Sequence, residues 1–374
     1  MIYRYQNKSM STTNLSKGKL NQFISGTLIV VSIVFGTVSN LLGQSGLDSL
    51  FRSDDLLNIE LYSDFKGILD TRWYEDSVKG GEAEYYEAKI IYGEEDNQVE
   101  IPLRIKARGQ FRRNPEYCKF PPLMLNFKKK EVKGTLFNGQ DKVKMVTFCQ
   151  DQPEVIKEYV IYKMFNLITD WSFNVRLVNV LYMNTPKNKK LYEKIGFLIE
   201  EDEKVAKRHD SEIVKMHHFP FDLDPDNEAK VSMFQFMIGN PDWFYTTGQN
   251  TDIMHPNDTT LAPMAVPYDF DYSEFVDADY TKPAGVPDEY LAKKKIFKGM
   301  CLSDDKLRDV IEYFNMMKPQ FMEVINSNEY LAKFSKKECV NYLEEFYTII
   351  NTQDLLQTEV LDTCFTRKDY LPFE

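Results

Sequence analysis

Two acidic segments in the second half of the chain contain the residue types that phosphoryl transfer uses. One segment places Asp242 after an apolar stretch, and Asn250 follows after a short loop. The other places Asp269 and Asp271 after a second apolar stretch. In phosphoryl transfer one carboxylate orients or deprotonates the acceptor, while an asparagine and another carboxylate hold divalent cations against phosphate oxygens. Spacing alone leaves another interpretation open, because aspartate-rich loops are commonly caps and turns.

The pattern in the first half of the chain predicts strands. These strands lie outside the acidic segments in sequence and must help to position them. The clearest is residues 99–107, where apolar residues alternate with more polar ones. Similar patterns predict strands at 86–92, 123–127 and 144–148. Turn signals separate them, including Asn138-Gly139.

The pattern changes after Pro153 from strands to helices. Apolar spacing predicts a helix over 154–169, strands at 175–183 and 194–200, a helix beginning near Asp224, and mainly helical structure from 288 to 352. A strand-rich first half and a helical second half predict an α+β protein with two lobes.

Several segments occur in a fixed order over roughly residues 56–275. They are Arg104-Ile-Lys-Ala-Arg-Gly, Lys119-Phe-Pro-Pro-Leu-Met-Leu-Asn-Phe, the strand, loop and helix from Lys144, Val178-Asn-Val-Leu-Tyr-Met-Asn, Ile195-Gly-Phe-Leu-Ile-Glu-Glu, Asn240-Pro-Asp242, Asn250, and Pro267-Tyr-Asp269-Phe-Asp271. No single segment is specific, but the ordered set resembles the CotH family of atypical, secreted protein kinases. The resemblance implies a bilobal protein-kinase-like domain over 50–374, with an N-lobe at about 50–195 and a C-lobe at about 200–374.

The resemblance also implies roles for the acidic residues. Asp242 would be the catalytic carboxylate that positions the acceptor hydroxyl. Asn250 and Asp269 would bind Mg²⁺ or Mn²⁺. Asp271 would either assist them or cap the turn.

A nucleotide site follows from the same resemblance, with ATP as cofactor. The strand beside adenine would be formed by Phe197, Leu198, Ile199 and Glu200. For the lysine that contacts the α- and β-phosphates, Lys119 is the first choice and Lys106 the second, and Arg108 is a further phosphate-facing candidate. Each of these basic residues could equally lie on a solvated strand face.

Some features depart from ordinary kinases. The glycine-rich G-x-G-x-x-G loop and a His-Arg pair before Asp242 are both missing from the sequence, and Asn250 lies eight residues after Asp242. Residues 108–113 read Arg-Gly-Gln-Phe-Arg-Arg, where many relatives carry small polar residues. This segment leaves room for a catalytically silent, pseudokinase-like protein.

An uncharged apolar run at 23–42 follows Lys17 and Lys19. This arrangement is typical of a signal peptide, and its length also suffices for a membrane anchor. We therefore expect residues 1–43 to direct export, with cleavage at Gly43-Gln44 or retention in the membrane. A buried core helix is the alternative.

Charge and cysteine content limit the other possibilities. The net charge is −11, which argues against sequence-independent binding of nucleic acid, because such binding needs a basic surface. The five cysteines form no CxxC pair, and their odd number leaves at least one thiol unpaired.

These observations give a leading hypothesis and two alternatives. The leading one is an extracytoplasmic, ATP-dependent kinase that phosphorylates Ser/Thr of envelope or secreted proteins. The second is a silent scaffold of the cell envelope. The third is a phosphotransferase that acts on a small molecule or sugar.

Overall fold

The chain folds into a mixture of strands and helices. The computed structural model describes residues 49–73, 81–150, 152–282 and 295–371, which all belong to the unit Leu47–Glu374. The expected signal peptide or anchor at 1–43 lies outside the described residues. None of the helices within the described ranges is long and apolar enough to cross a bilayer.

Seven strands close into a barrel in the order β1-β2-β3-β4-β5-β7-β6. They are β1 (Leu57–Ser63), β2 (Tyr86–Tyr92), β3 (Val99–Ala107), β4 (Leu123–Phe127), β5 (Lys142–Val146), β6 (Val175–Asn184) and β7 (Lys189–Ile199). Neighbouring strands pair antiparallel, and β6 completes the barrel by pairing parallel with β1.

Strand β3 illustrates why these segments form the barrel. Ile101, Leu103 and Ile105 are buried at every second position, while Arg104 between them is exposed. Because side chains alternate between the two faces of a strand, one face supplies the apolar interior and the other remains polar.

The remaining elements are mainly helical, with one small sheet in the order β10-β9-β8. The helices are α1 (Phe65–Thr71), α2 (Gln152–Asn166), α3 (Asp202–Arg208), α4 (Pro225–Ile238), α5 (Asp304–Ser327), α6 (Lys333–Ile350), α7 (Gln353–Leu356) and α8 (Arg367–Tyr370), and the strands are β8 (Ser211–Ile213), β9 (Thr251–Pro256) and β10 (Met264–Pro267). The stretch from 288 to 352, expected to be mainly helical, contains α5 and α6, whereas residues 295–303 form no helix and 288–294 lie outside the described ranges.

Helix α4 lies in the interior and leads directly to the first acidic segment. Asp224 caps its N-terminus by accepting hydrogen bonds from the backbone N–H groups of Asp226 and Asn227, and Pro225 occupies the first turn. Most of its residues are buried, as expected for a helix that is apolar on several faces.

Two disulfides cross-link the described chain. Cys118 is bonded to Cys149, and Cys301 is bonded to Cys364. Cys339 is a free, buried thiol. The first disulfide joins the segment before β4 to the segment after β5, and it therefore cross-links two neighbouring strands of the barrel.

Lys295 is a buried cation in the helical part of the protein. Its Nζ donates to the carbonyl of Met237 at 3.1 Å and lies 3.0 Å from the centroid of the Tyr342 ring. Burial lowers the pKa of Lys295 to about 7, and Glu345 and Glu274 oppose this shift. The folded state therefore binds fewer protons than the unfolded state between about pH 7 and pH 10, and the energetic cost of burying Lys295 decreases as pH rises.

We expect Lys295→Met to stabilise the protein at pH 7 relative to wild type. The difference in the free energy of unfolding should shrink by about 2 kcal/mol between pH 7 and pH 9. Urea denaturation of both proteins at the two pH values measures this change. Lys318→Met, which removes a partly exposed lysine over Tyr347, is the control. A difference that does not vary with pH would contradict the expectation.

Candidate functional site

Asp242 is positioned by a turn at the end of α4. Gly239 adopts a left-handed conformation with φ 61°, and a Cβ at this position would lie 2.0 Å from the hydroxyl of Tyr342. Asn240 is buried; its amide nitrogen donates to the side chain of Gln235 at 3.0 Å, and its Oδ1 accepts from the Asp242 N–H at 3.0 Å. The Asn240-Pro-Asp242 motif thus holds Asp242 against the end of the helix.

Asn250 lies directly beside Asp242. Its Nδ2 donates to the backbone carbonyl of Asp242 at 2.8 Å and to Oδ2 of the same residue at 2.9 Å. Gln249 donates to Asp242 Oδ1 at 3.3 Å. Because the amide nitrogen of Asn250 is committed to Asp242, the amide oxygen points away from this carboxylate.

The second acidic segment begins at the end of β10 and is held against the first. Tyr268 N–H donates to the carbonyl of Asn250 at 2.9 Å, and Asp269 N–H donates to the hydroxyl oxygen of Tyr162 on α2, also at 2.9 Å. Phe270 is buried, with its ring centroid 4.8 Å from that of Tyr162. The structure therefore brings Asp242, Asn250 and the Asp269 segment together.

Asn250 and Asp269 share an uncommon backbone conformation. Their φ angles are 50° and 59°, in the left-handed region. Asparagine and aspartate tolerate this region better than most residues, but it remains a strained position that concentrates at functional sites. Asn188, Asp210 and Asp277 adopt the same region, so the conformation alone does not distinguish Asn250 and Asp269 from turn formers.

The donor set fits a divalent cation that also binds phosphate. The amide oxygen of Asn250 and the carboxylate of Asp269 are the hard oxygen ligands that Mg²⁺ prefers, and Mg²⁺ commonly takes its other ligands from water and substrate phosphates. In the described ranges no cluster of three or more His, Cys, Asp or Glu residues could hold a metal by itself. Asn250 and Asp269 would therefore supply only part of a cation's coordination, and phosphate oxygens or water would complete it.

Asp271 is buried and has other partners. Its Oδ2 accepts from the hydroxyl of Tyr280 at 3.0 Å and lies 3.6 Å from Nη1 of Arg112. Burial, together with the charge of Asp269, raises the pKa of Asp271 to about 7 against the opposing effect of Arg112. These contacts favour a structural role for Asp271 over cation binding.

Asp269 lines a narrow cleft together with two cations of the barrel. Arg108, Lys144, Ile199 and Tyr268 contribute to the same cleft. Lys144 on β5 forms an ion pair with Asp202, and its Nζ lies 5.3 Å from the ring centroid of Tyr268. One carboxylate and two basic side chains thus line the same cleft, whose volume is about 10 Å³.

A larger cavity of about 750 Å³ shares Tyr268 with this cleft. It is lined by α3, β8, β9 and the loop between Asp242 and Asn250. Asp202 and Asp252 supply carboxylates to its wall, and Oδ2 of Asp252 is buried without a hydrogen-bond partner among the described residues. A ligand with hydroxyl or amine donors would satisfy this oxygen.

Lys119 and Lys106, the first and second choices for the phosphate-binding lysine, do not line the narrow cleft. Lys119 is exposed beside the Cys118–Cys149 disulfide, and its N–H donates to the Cys149 carbonyl at 3.0 Å. Lys106 pairs with Glu82 at 3.5 Å. The residues that line the narrow cleft include neither lysine but do include Arg108.

The predicted adenine-side strand is the end of β7. Phe197 and Leu198 are buried in the protein core, and Ile199 lines the narrow cleft. The side chain of Glu200 accepts from the Asn174 amide at 2.8 Å and pairs with Arg208 at 3.3 Å. Only Ile199 of this segment is thus among the cleft-lining residues.

Two basic residues near the acidic segments were missed from the sequence. Lys144 lies on the strand that directly precedes α2, the position where protein kinases carry their phosphate-binding lysine, and this order could have identified it. Lys298 donates to the carbonyl of Pro241, beside Asp242. Burial lowers the pKa of Lys298, and Asp242 opposes that shift. Nothing in the sequence pattern connects Lys298 with Asp242.

No family model matches this chain, and no curated protein matches it. Among solved structures, it is similar to the crystal structure of a Helicobacter pylori proinflammatory kinase, CtkA. The two chains share 12% sequence identity at a TM-score of 0.36, and the match covers 70% of this chain and 96% of that chain. A similarity of this size assigns neither a fold nor an activity.

Proposed function

We propose that this chain is an atypical protein kinase that transfers the γ-phosphate of ATP to Ser/Thr hydroxyls of envelope or secreted proteins. The observation that carries the proposal is the convergence of Asp242, Asn250 and Asp269, with Lys144 and Arg108 in the same cleft as Asp269. In this proposal the barrel is the N-lobe of a bilobal kinase fold, and the chain from about residue 200 onward is the C-lobe.

Two spaces that share Tyr268 in their linings would suit the two ends of a nucleotide. The narrow cleft carries the cations that phosphates need, and the larger cavity of about 750 Å³ lies in the volume range of ligand pockets. Ile199 supplies apolar surface to the narrow cleft. We assign the phosphates to Lys144, Arg108 and Asp269, and the nucleoside to the larger cavity.

Asp242 would orient the acceptor hydroxyl and accept its proton. The amides of Asn250 and Gln249 hold its carboxylate in one orientation, which shortens the search for a reactive geometry. A bound Mg²⁺ or Mn²⁺ would offset the negative charge of the β- and γ-phosphates. Asn250 and Asp269 would hold that cation.

Export is supported by the two disulfides, because disulfides persist mainly in oxidising compartments. The uncharged run at 23–42 agrees with an extracytoplasmic location. If the N-terminal segment is retained, it would also attach the protein to the membrane. The acidic net charge gives no support for nucleic acid as a partner.

Replacing Asp242 with asparagine tests the assignment of the catalytic carboxylate. We expect the rate of phosphate transfer to fall about 100-fold or more, because asparagine cannot accept the proton, while ATP affinity changes little. Transfer of labelled γ-phosphate to a generic protein substrate measures the rate. Asp258→Asn, at an exposed loop aspartate, is the control. Equal rates in Asp242→Asn and wild type would rule out this role.

One observation favours a catalytically silent scaffold instead. Active protein kinases pair the phosphate-binding lysine with a glutamate on the following helix. Here Lys144 pairs with Asp202, while Glu158 on α2 lies 3.6 Å from Arg112. Nucleotide binding without transfer to protein or sugar acceptors would favour this second function.

A further inference from the structure

Arg112 is a buried cation at the centre of three segments. It lies in the 3₁₀ turn Phe111–Arg113 after β3 and is 8% exposed. Its Nη1 lies 3.6 Å from Oε2 of Glu158 and 3.6 Å from Oδ2 of Asp271, and its Nη2 donates to the carbonyl of Thr147 at 3.0 Å. One guanidinium thus connects the barrel, helix α2 and the segment that carries Asp269.

The acidic partners of this guanidinium are buried from solvent. Glu158 and Asp271 are 2% and 4% exposed. Tyr280 donates to Asp271 at 3.0 Å, and its ring centroid lies 5.6 Å from Cζ of Arg112. Water therefore has little access to the three charged groups.

Such a cluster is a poor source of stability. Desolvating several ions costs several kcal/mol per ion, and well-packed apolar residues are often equally or more stabilising. Nε of Arg112 and Oε1 of Glu158 also lack hydrogen-bond partners among the described residues. A contribution to geometry explains the cluster better than a contribution to stability.

We propose that Arg112 is a positioning residue that fixes the Asp269 segment relative to α2 and to the barrel. Asp271 follows Asp269 by two residues, and Arg108 lies in the same connecting segment as Arg112. By fixing the segment that carries Asp269 and the segment that carries Arg108, Arg112 would set the distance between the Asp269 carboxylate and the Arg108 cation across the cleft. The inference rests on the proposed function only in taking these two groups as the cation- and phosphate-binding ones.

The role requires arginine rather than lysine. The planar guanidinium presents several donors in fixed directions, so it can face two carboxylates and a carbonyl at once, whereas an ammonium is a point charge. Segment 108–113, which departs from the CotH pattern, would thus supply both a cleft cation and the residue that positions Asp269.

The test compares three variants of the full chain. Arg112→Met/Glu158→Met removes the guanidinium together with one of its two acidic partners. Arg112→Lys keeps the charge but loses the fixed geometry. Arg176→Met is the matched control, because Arg176 is also buried and donates to the carbonyl of Leu50 at 3.0 Å.

Hydrogen exchange of the backbone amides of residues 268–277 measures how firmly this segment is held when no ligand is present. Calorimetry measures ATP affinity with and without Mn²⁺. We expect the double variant to exchange faster in this segment and to bind ATP with Mn²⁺ about 10- to 100-fold more weakly, with Arg112→Lys intermediate and Arg176→Met unchanged.

Wild-type exchange in the folded double variant overturns the inference, whether or not nucleotide binds. If the double variant does not fold, wild-type exchange and affinity in Arg112→Lys overturn it. Faster exchange in the variants, combined with a wild-type protein that does not bind ATP, would support the role of Arg112 and refute the proposed kinase function.

Discussion

Asp269→Asn is expected to slow phosphate transfer by about 100- to 1,000-fold and to remove the Mn²⁺-dependent part of ATP binding. Asp269 is the charged member of the pair that would hold the cation, and an amide cannot offset the cation charge equally. Asparagine tolerates the left-handed φ of 59° at this position, so the backbone should keep its conformation. Kinetics and calorimetry with Mn²⁺ measure the two effects.

Asp277→Asn provides a matched control for this variant. Asp277 also has a positive φ, 54°, and follows in the same segment, but its carboxylate pairs with Lys282 at 3.4 Å. We expect its ATP binding and transfer rate to remain close to wild type. If Asp269→Asn behaved like Asp277→Asn, Asp269 would not be a ligand of the cation.

Lys144→Met is expected to weaken ATP binding by about 10-fold or more, because a charge-assisted hydrogen bond to phosphate contributes about 1.5–3 kcal/mol. Lys144 lines the cleft with Asp269, whereas Lys119 is exposed beside a disulfide. Lys119→Met should therefore leave ATP affinity within about twofold of wild type. Calorimetry of both variants under identical conditions makes the comparison.

The same pair of variants tests the prediction made from the sequence. Loss of ATP affinity in Lys119→Met, with wild-type affinity in Lys144→Met, would restore Lys119 as the phosphate-binding residue. Lys144→Met also frees Asp202 of its partner. The double variant Lys144→Met/Asp202→Asn separates the loss of the lysine from the effect of this unpaired carboxylate.

Elements with strong local signals were predictable from the sequence. Strands β2, β3 and β4 have the predicted bounds, because alternating apolar residues and turn residues are local features. Helix α4 begins at Pro225, in agreement with the predicted start near Asp224. These agreements depend on interactions within a few residues of one another.

Long-range pairing could not be predicted in the same way. The barrel closes through the parallel pairing of β1 with β6, which lie far apart in sequence. Strand β5 begins at Lys142, two residues before the predicted start. This difference places Lys144 inside the strand with one neighbour, Val143, buried in the barrel and its own side chain in the cleft.

The candidate site shows the same difference between local signals and long-range contacts. Asp242, Asn250 and Asp269 were predicted from their residue types together with the ordered set of segments around them, and the structure brings their segments together. The contacts of Lys144 and Arg112 depend on how the barrel meets the later helices and loops. The order of strand and helix could have pointed to Lys144, whereas no residue pattern pointed to Arg112.

A crystal structure with a non-hydrolysable ATP analogue and Mn²⁺ tests the central claim most directly. We expect the anomalous signal of Mn²⁺ at about 2.1 Å from the amide oxygen of Asn250 and from the Asp269 carboxylate, with phosphate oxygens completing its coordination. Lys144 or Arg108 should contact the phosphates, and the nucleoside should lie in the larger cavity. Mn²⁺ and nucleotide bound away from Asn250 and Asp269, or no binding in the cleft at all, would contradict the account.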